Sequence, residues 1–258
     1  MKKINFFLWF LLRPIFWTHL FFLILNRFKK RHDTEINSSV AKDWANRNKT
    51  SLKSALIKLN LYQEEMEIPQ IPTSIINRAK QNIDNKVHMG GGADINLLFA
   101  IVIGAKPKRI IETGVAYGWS SLVILSALSN NNIKGKLVSI DMPYPLRNNE
   151  KYVGILVPKK EDYRKNWVLI KLPDRSGIKR ALNIFNNEID LCHYDSDKSW
   201  HGRAYAYPLL WNALRSGGIF ISDDIQDNLF FKEFSESLNI KPIIIKSENK
   251  FIGVMRKP

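Results

Sequence analysis

Short apolar runs alternate with longer amphipathic segments through the second half of the chain, from residue 109 onward. This alternation is typical of strands that alternate with helices, and it predicts a parallel sheet with helices on both faces. The predicted strands are 109–113, 136–141, 167–172, 189–194 and 218–223, and the predicted helices are 118–129, 176–186 and 201–214.

The last two apolar runs, 242–246 and 251–256, are separated by the short segment Ser-Glu-Asn-Lys. A parallel crossover needs a far longer connection, so these two strands pair antiparallel. The pattern therefore predicts an α/β fold with a doubly wound, mostly parallel sheet that ends in an antiparallel C-terminal hairpin strand.

The preceding segment, residues 36–87, is predicted to form an accessory helical layer. It contains a leucine stripe with helical spacing, and a further helix is predicted at 75–85. A glycine run at 90–92 then precedes a helix predicted at 94–104. The run is interpreted either as a lid hinge or as a plain connector between helices.

Residues 4–25 are dense in Phe, Leu and Trp and are flanked by basic residues on both sides. The stretch is long enough to span a bilayer, but Arg13 and Pro14 lie near its middle, and a central Arg costs roughly 2.5–3.5 kcal/mol on insertion. We therefore expect two shallow segments, broken at Arg13-Pro14, in a membrane-associating region 1–35 that keeps the remaining chain on the cytoplasmic face. The alternatives are a helix packed on the protein's own body and a cytoplasmic protein.

Composition adds little to this picture. The chain of 258 residues can bury one full core, and its single cysteine, Cys192, excludes an internal disulfide. The formal charge of +15 fits a nucleic acid, an acidic membrane surface or an anionic substrate. The basic residues are spread without a tandem basic repeat, so a nucleic-acid partner is not favoured.

A glycine turn follows the strand that begins at residue 109. Glu112 lies at the strand end, Gly114 and Gly118 allow the backbone to bend close to a ligand, and Ser120 lies at the start of the next helix, whose N-terminus favours anionic or polar groups. The dinucleotide fingerprint requires a glycine where this chain has Ala116. The turn therefore argues against NAD and toward S-adenosylmethionine.

Two acids continue the pattern: Asp141 ends the second strand and Asp174 follows the third. With the glycine turn, they give residues 88–258 a resemblance to the class I S-adenosylmethionine-dependent methyltransferases, which have a Rossmann-like fold. The resemblance implies that the turn at Gly114 contacts the methionine part of the cofactor, that Asp141 binds the ribose, and that Asp174 lies near the adenine. The alternative interpretation, which does not use the resemblance, is that Glu112 and Asp141 are ordinary acids at strand ends.

Three more carboxylates follow the fourth and fifth strands: Asp195, Asp223 and Asp224. They would repel one another unless they share a proton or a cation, and oxygen ligands suit Mg²⁺. Such an ion would bind an acceptor hydroxyl and lower its pKa. The alternative is that these acids cap the following helices.

The same segments resemble the cation-dependent O-methyltransferases of the catechol and caffeoyl-coenzyme A type, and also a bacterial group with the motif Asp-Gly-Asp-His-Ser-Tyr. The resemblance implies that Asp195 and Asp223 are metal ligands and that Lys198 assists deprotonation. Asp224 stands where the family has Asn, which keeps an oxygen donor but adds negative charge. His201 is an alternative base.

The sequence thus predicts an S-adenosylmethionine-dependent methyltransferase that acts on a hydroxyl of a small molecule or glycan. Two alternatives are a catalytically silent, membrane-tethered scaffold with this fold and a nucleic-acid methyltransferase. The second lacks its usual Asn/Asp-Pro-Pro-aromatic motif after the fourth strand, where the chain has Tyr194-Asp195-Ser196-Asp197. The oligomeric state is left open.

Overall fold

The chain folds around one mixed sheet of eight strands, in the order β1-β7-β8-β6-β5-β2-β3-β4. The computed structural model describes residues 2–27, 32–83, 89, 93–130, 134–142, 150–159, 163 and 165–258. The strands are β1 (Lys49–Thr50), β2 (Arg109–Thr113), β3 (Lys136–Ile140), β4 (Trp167–Ile170), β5 (Ile189–Tyr194), β6 (Leu214–Ser222), β7 (Ile243–Ser247) and β8 (Lys250–Arg256).

The pairing of the strands confirms the predicted topology. Strands β2 to β6 pair in parallel with one another, and β8 runs antiparallel between β6 and β7. Two details differ from the prediction. The short strand β1 adds an eighth strand beside β7, and β6 begins at Leu214, four residues before its predicted start at 218.

Ten helices surround the sheet in the part of the chain that the structure describes. They are α1 (Lys2–Leu11), α2 (Trp17–Arg27), α3 (Glu35–Asn48), α4 (Leu52–Lys58), α5 (Thr73–Lys80), α6 (Ile95–Ala105), α7 (Trp119–Asn130), α8 (Asp174–Ile184), α9 (Trp200–Ala213) and α10 (Phe230–Ser237).

The helices cover both faces of the sheet, as a doubly wound fold requires. One buried cluster joins α8, α9 and α10 to the sheet, and a second joins α4, α6 and α7 to the opposite face. Glycine residues 90–92, interpreted above as a lid hinge or a connector, lie outside the described residues, whereas Met89 beside them is buried.

The N-terminal segment forms two helices with a break where Arg13 and Pro14 were expected to interrupt them. Phe10 and Phe16 are buried in the cluster that contains α8 and α9, so the segment packs on the body of the protein. Among the described residues, none of the helices combines the length and apolarity needed to cross a bilayer.

Candidate active site

The turn between β2 and α7 needs glycine at its first position. Gly114 has a φ of +80°, and a Cβ there would lie 2.2 Å from the carbonyl oxygen of Asp195, which is too close for any side chain. Gly118, with a φ of +94°, closes the turn against the backbone of Gly154. The turn is therefore pressed against the segment that follows β5, and this contact brings the two sequence motifs together.

A cavity of about 720 Å³ opens over the carboxyl ends of the central strands. This volume lies within the range of small-molecule and cofactor sites, and its position is where ligands bind in open parallel sheets. Seven predicted site residues line it: Gly114, Ser120, Asp141, Asp174, Asp195, Lys198 and Asp224.

Asp141 holds the glycine turn in place from the end of β3. Its Oδ2 accepts hydrogen bonds from the backbone N–H groups of Val115 and Ala116, at 2.8 and 2.7 Å. Burial raises the pKa of Asp141, while the two N–H groups oppose that shift. The carboxylate thus fixes the turn and lines the cavity at the same time.

Glu112 lies behind the turn and does not line the cavity. The sequence analysis had placed it among the residues that bind the cofactor. It is fully buried, and its Oε2 accepts hydrogen bonds from the hydroxyls of Ser121 at 2.5 Å and Ser139 at 2.7 Å. Its role in this structure is to tie the first turn of α7 and strand β3 to strand β2.

Asp174 is the first residue of α8 and faces the cavity. Its Oδ2 accepts a hydrogen bond of 2.5 Å from the hydroxyl of Ser196. Burial raises the pKa of Asp174 to about 6, and the Ser196 hydrogen bond only partly offsets this effect. Asp174 is therefore a half-buried carboxylate whose hydrogen-bond donor here is a neutral group.

The three carboxylates after β5 and β6 are matched by two lysines. The ammonium of Lys198 bonds both Asp195 Oδ1 and Asp224 Oδ2, and Lys250 Nζ lies 2.5 Å from Asp223 Oδ2. Burial alone would lower the pKa of Lys198, but the two carboxylates raise it, so its ammonium stays charged at neutral pH. Lys250 was not predicted; it lies on the C-terminal hairpin and also lines the cavity.

A second residue that the sequence analysis missed is His193, near the end of β5. Its imidazole is fully buried, with Nδ1 3.6 Å from Glu112 Oε1 and Nε2 3.6 Å from Asp223 Oδ1. Burial opposes protonation, but Asp223 and Glu112 raise the pKa of His193 to about 10. A buried imidazolium between two carboxylates therefore links the glycine-turn strand to the acidic segment after β6.

Three residues at this edge could share a cation. His193, Asp195 and Asp223 each offer one atom, and these atoms lie within 4.8 Å of one another. In this structure, however, Lys198 bonds Asp195 and Lys250 bonds Asp223. A cation would have to displace both ammonium groups.

His201, the predicted alternative base, lies on α9 and does not line the cavity, although the adjacent Gly202 does. Its ring packs edge-on against Trp200, with 5.3 Å between the ring centroids. Asp223 and Gly118 also lie outside the lining, Asp223 because it is turned inward toward His193.

Helix α2 supplies a wall of the cavity that the sequence analysis did not predict. His19, Phe22, Leu23 and Asn26 line it. Their spacing of i, i+3, i+4 and i+7 places them on one helix face, which combines two polar with two apolar residues.

Comparison with known proteins also indicates a methyltransferase. The family model of a methyltransferase domain matches residues 111–225. No curated protein matches the sequence. The matched residues lie within the region 88–258 that the sequence analysis likened to methyltransferases.

Solved structures share the fold at low sequence identity. An O-methyltransferase from Bacillus cereus, in complex with S-adenosylhomocysteine, superposes with a TM-score of 0.57 at 16% identity, over 80% of this chain and 100% of that one. The O-methyltransferase TomG from Streptomyces achromogenes, in complex with S-adenosylmethionine, gives a TM-score of 0.51 at 15% identity, over 83% and 99%. These likenesses confirm the predicted class I fold.

Proposed function

We propose that this chain, which carries a methyltransferase domain with the class I fold, transfers the methyl group of S-adenosylmethionine to a hydroxyl oxygen. The observation that carries the proposal is the cavity itself, which is lined by the glycine turn and Asp141 and also by Asp195 with Lys198. One cavity thus offers a cofactor cradle and a group that can take a proton.

The cofactor side of the cavity fits S-adenosylmethionine by its chemistry. The turn at Gly114 lines the cavity where the methionine part would lie, and Asp141 offers a carboxylate to the ribose hydroxyls. Asp174 lies on the same side, where its carboxylate can accept a hydrogen bond from the adenine amino group. Ser120, at the start of α7, adds a hydroxyl beside the N-terminal end of the helix dipole.

The acceptor side contains a proton acceptor and a fixed positive charge. Burial and the neighbouring charge of Asp223 raise the pKa of Asp195 to about 6, so Asp195 is mainly ionised at neutral pH and can take the proton of a hydroxyl. The ammonium of Lys198 then stabilises the negative charge that grows on the acceptor oxygen.

When bound, S-adenosylmethionine supplies an activated methyl group: the carbon–sulfur bond breaks toward sulfur as the oxygen–carbon bond forms. The residues of this chain hold the two reactants in line and move one proton from the acceptor to Asp195. Lys198, to which the resemblance assigned deprotonation, acts here as the stabilising charge, because its raised pKa keeps it protonated at neutral pH and leaves it no lone pair for a proton.

Asp195 offers the direct test of this arrangement. We expect Asp195→Ala to reduce turnover by about 10²–10⁴-fold, the usual contribution of a positioned general base, while the affinity for S-adenosylhomocysteine stays nearly unchanged. The measurement is release of S-adenosylhomocysteine with a panel of catechols and glycosides as acceptors, with the exposed Asp43→Ala as the matched control. Equal loss of turnover and cofactor affinity would contradict the assignment.

Chelation tests the Mg²⁺ that the sequence analysis considered. Because Lys198 and Lys250 already balance the acidic residues, we expect turnover to survive EDTA and added Mg²⁺ to give no increase. If EDTA abolished turnover and Mg²⁺ restored it, a cation would have to displace the lysines. Asp195, Asp223 and Asp224 would then be metal ligands, as the sequence analysis proposed.

The N-terminal segment supports an interfacial location on the cytoplasmic face of a membrane. Helices α1 and α2 expose large apolar side chains although Phe10 and Phe16 anchor them to the core. Lys2, Lys3 and the basic residues after 26 flank this surface in the sequence. Helices of this composition lie in the headgroup region of acidic bilayers.

A further inference from the structure

Helix α2 has one face toward the cavity and another toward solvent. On the cavity side Phe22 and Leu23 form an apolar wall, with the polar groups of His19 and Asn26 on the same face. Burial lowers the pKa of His19, so its imidazole is neutral and can both donate and accept hydrogen bonds. An occupant of this wall therefore has an apolar part and a polar part.

Leu23 marks the rim of the cavity. It lines the cavity and is still 40% exposed. Its neighbours Ile24 and Phe21 are 44% and 58% exposed, so the apolar surface continues from the cavity wall onto the outside of the protein. A molecule whose polar end lies inside can leave an apolar chain along α2.

The wall is held in position by contacts with the domain. The guanidinium of Arg175, on α8, lies 3.7 Å from the ring centre of Phe22 and 4.3 Å from that of Tyr205. Arg175 also lines the cavity beside Asp174. These contacts fix α2 as part of the site, because cation–π contacts of this kind are worth more when the cation is shielded from water.

The outer surface of α1 and α2, beyond the rim of the cavity, is apolar. It is an unusually dense group of exposed apolar residues for a water-facing surface. The exposed large apolar residues of this segment are Phe7, Leu8, Leu11, Leu12, Ile15, Trp17, Phe21, Leu23, Ile24 and Leu25. Basic residues before and after the segment match an acidic bilayer in charge.

We propose that the methyl acceptor is an amphiphile drawn from an acidic bilayer. Its hydroxyl-bearing head enters the cavity toward Asp195, and its apolar chain lies along Phe22, Leu23 and Ile24. This inference rests on the proposed function for the methyl transfer, but it adds the class of acceptor and makes Leu23 a residue that determines specificity.

The chain-length dependence of acceptor binding tests the inference. The full chain, saturated with S-adenosylhomocysteine, is titrated with alkyl β-glucosides from butyl to decyl, each below its critical micelle concentration. We expect the dissociation constant to fall about fourfold per methylene, the equivalent of ~0.8 kcal/mol per buried CH₂. Leu23→Ser flattens this dependence, whereas Ile36→Ser, an exposed apolar residue on α3, leaves it unchanged.

The outcomes separate this inference from the proposed function. A glucoside affinity that is independent of chain length, in a protein that still binds S-adenosylhomocysteine, overturns the amphiphilic acceptor alone. Failure of the folded protein to bind S-adenosylhomocysteine overturns the proposed function on which the inference rests.

Sedimentation with vesicles tests the bilayer as the source. The full chain is expected to sediment with phosphatidylglycerol vesicles and not with phosphatidylcholine vesicles, and salt should weaken the binding. The double variant Phe21→Ser/Ile24→Ser reduces binding, whereas Ile36→Ser does not. The proposal would be overturned if the wild-type protein did not bind vesicles but formed a dimer that Phe21→Ser dissociates. That result would show that a second copy of the chain covers this surface.

Discussion

Buried carboxylates of this protein differ in how their charge is balanced. Asp223 is buried, but the neighbouring positive charges of His193 and Lys250 lower its pKa to about 2. Asp174 receives hydrogen bonds from neutral groups, and burial raises its pKa to about 6. The charge of Asp223 therefore supports the folded state, whereas the charge of Asp174 opposes it.

This difference predicts a pH-dependent effect of Asp174→Asn. The folded pKa of Asp174 exceeds its ordinary value of 3.8, so the wild-type loses stability as pH rises from about 4 to about 6. We expect the variant to gain Tm relative to wild-type at pH 7.5 and to lose this gain near pH 4, measured in the absence of ligand. The same Tm difference at both pH values, or a pH-dependent difference in Asp43→Asn, would contradict this account.

The sequence located the cavity residues that follow strand ends, because parallel strands bring their carboxyl ends to one edge. Gly114, Asp141 and Asp195 were found in this way. His193 was missed because it lies inside an apolar strand, where a single sequence gives no sign that Glu112 is its partner on the neighbouring strand. The inward turn of Glu112 was missed for the same reason.

At the scale of elements, the sheet and its helices followed from hydrophobic periodicity, but the docking of α1 and α2 did not. The break at Arg13-Pro14 was predicted, since a charge and a proline interrupt the apolar pattern. The apolar pattern cannot tell which residues pack on the protein and which face outward. In the structure Phe10 is buried and Phe7 is 48% exposed, although both lie on α1.

Phe10 and Phe7 form a matched pair for testing the docking. Phe10→Ala removes a fully buried ring from the core, and we expect a loss of about 3 kcal/mol in the free energy of unfolding, or undocking of the N-terminal helices. Phe7→Ala is expected to change stability little. Urea unfolding and amide hydrogen exchange of α2 measure both effects, and equal, small effects of the two variants would show that the segment does not pack on the domain.

At the scale of the molecule, the architecture explains how the parts serve one site. The sheet edge holds the glycine turn and the acidic residues, the C-terminal hairpin adds Lys250, and the N-terminal helices close the cavity with Phe22 and Leu23. The fold and the cofactor side were predictable, because they depend on local patterns. The acceptor side that we propose combines residues from both ends of the chain, so it required the structure.

Calorimetric titration of the full chain with S-adenosylhomocysteine tests the central claim most directly. We predict micromolar binding, and an affinity at least about tenfold weaker in Asp141→Asn, which corresponds to ~1.4 kcal/mol. The control Asp43→Asn should bind like the wild-type. A folded wild-type protein that does not bind S-adenosylhomocysteine, or an Asp141→Asn variant that binds it equally well, would contradict the account.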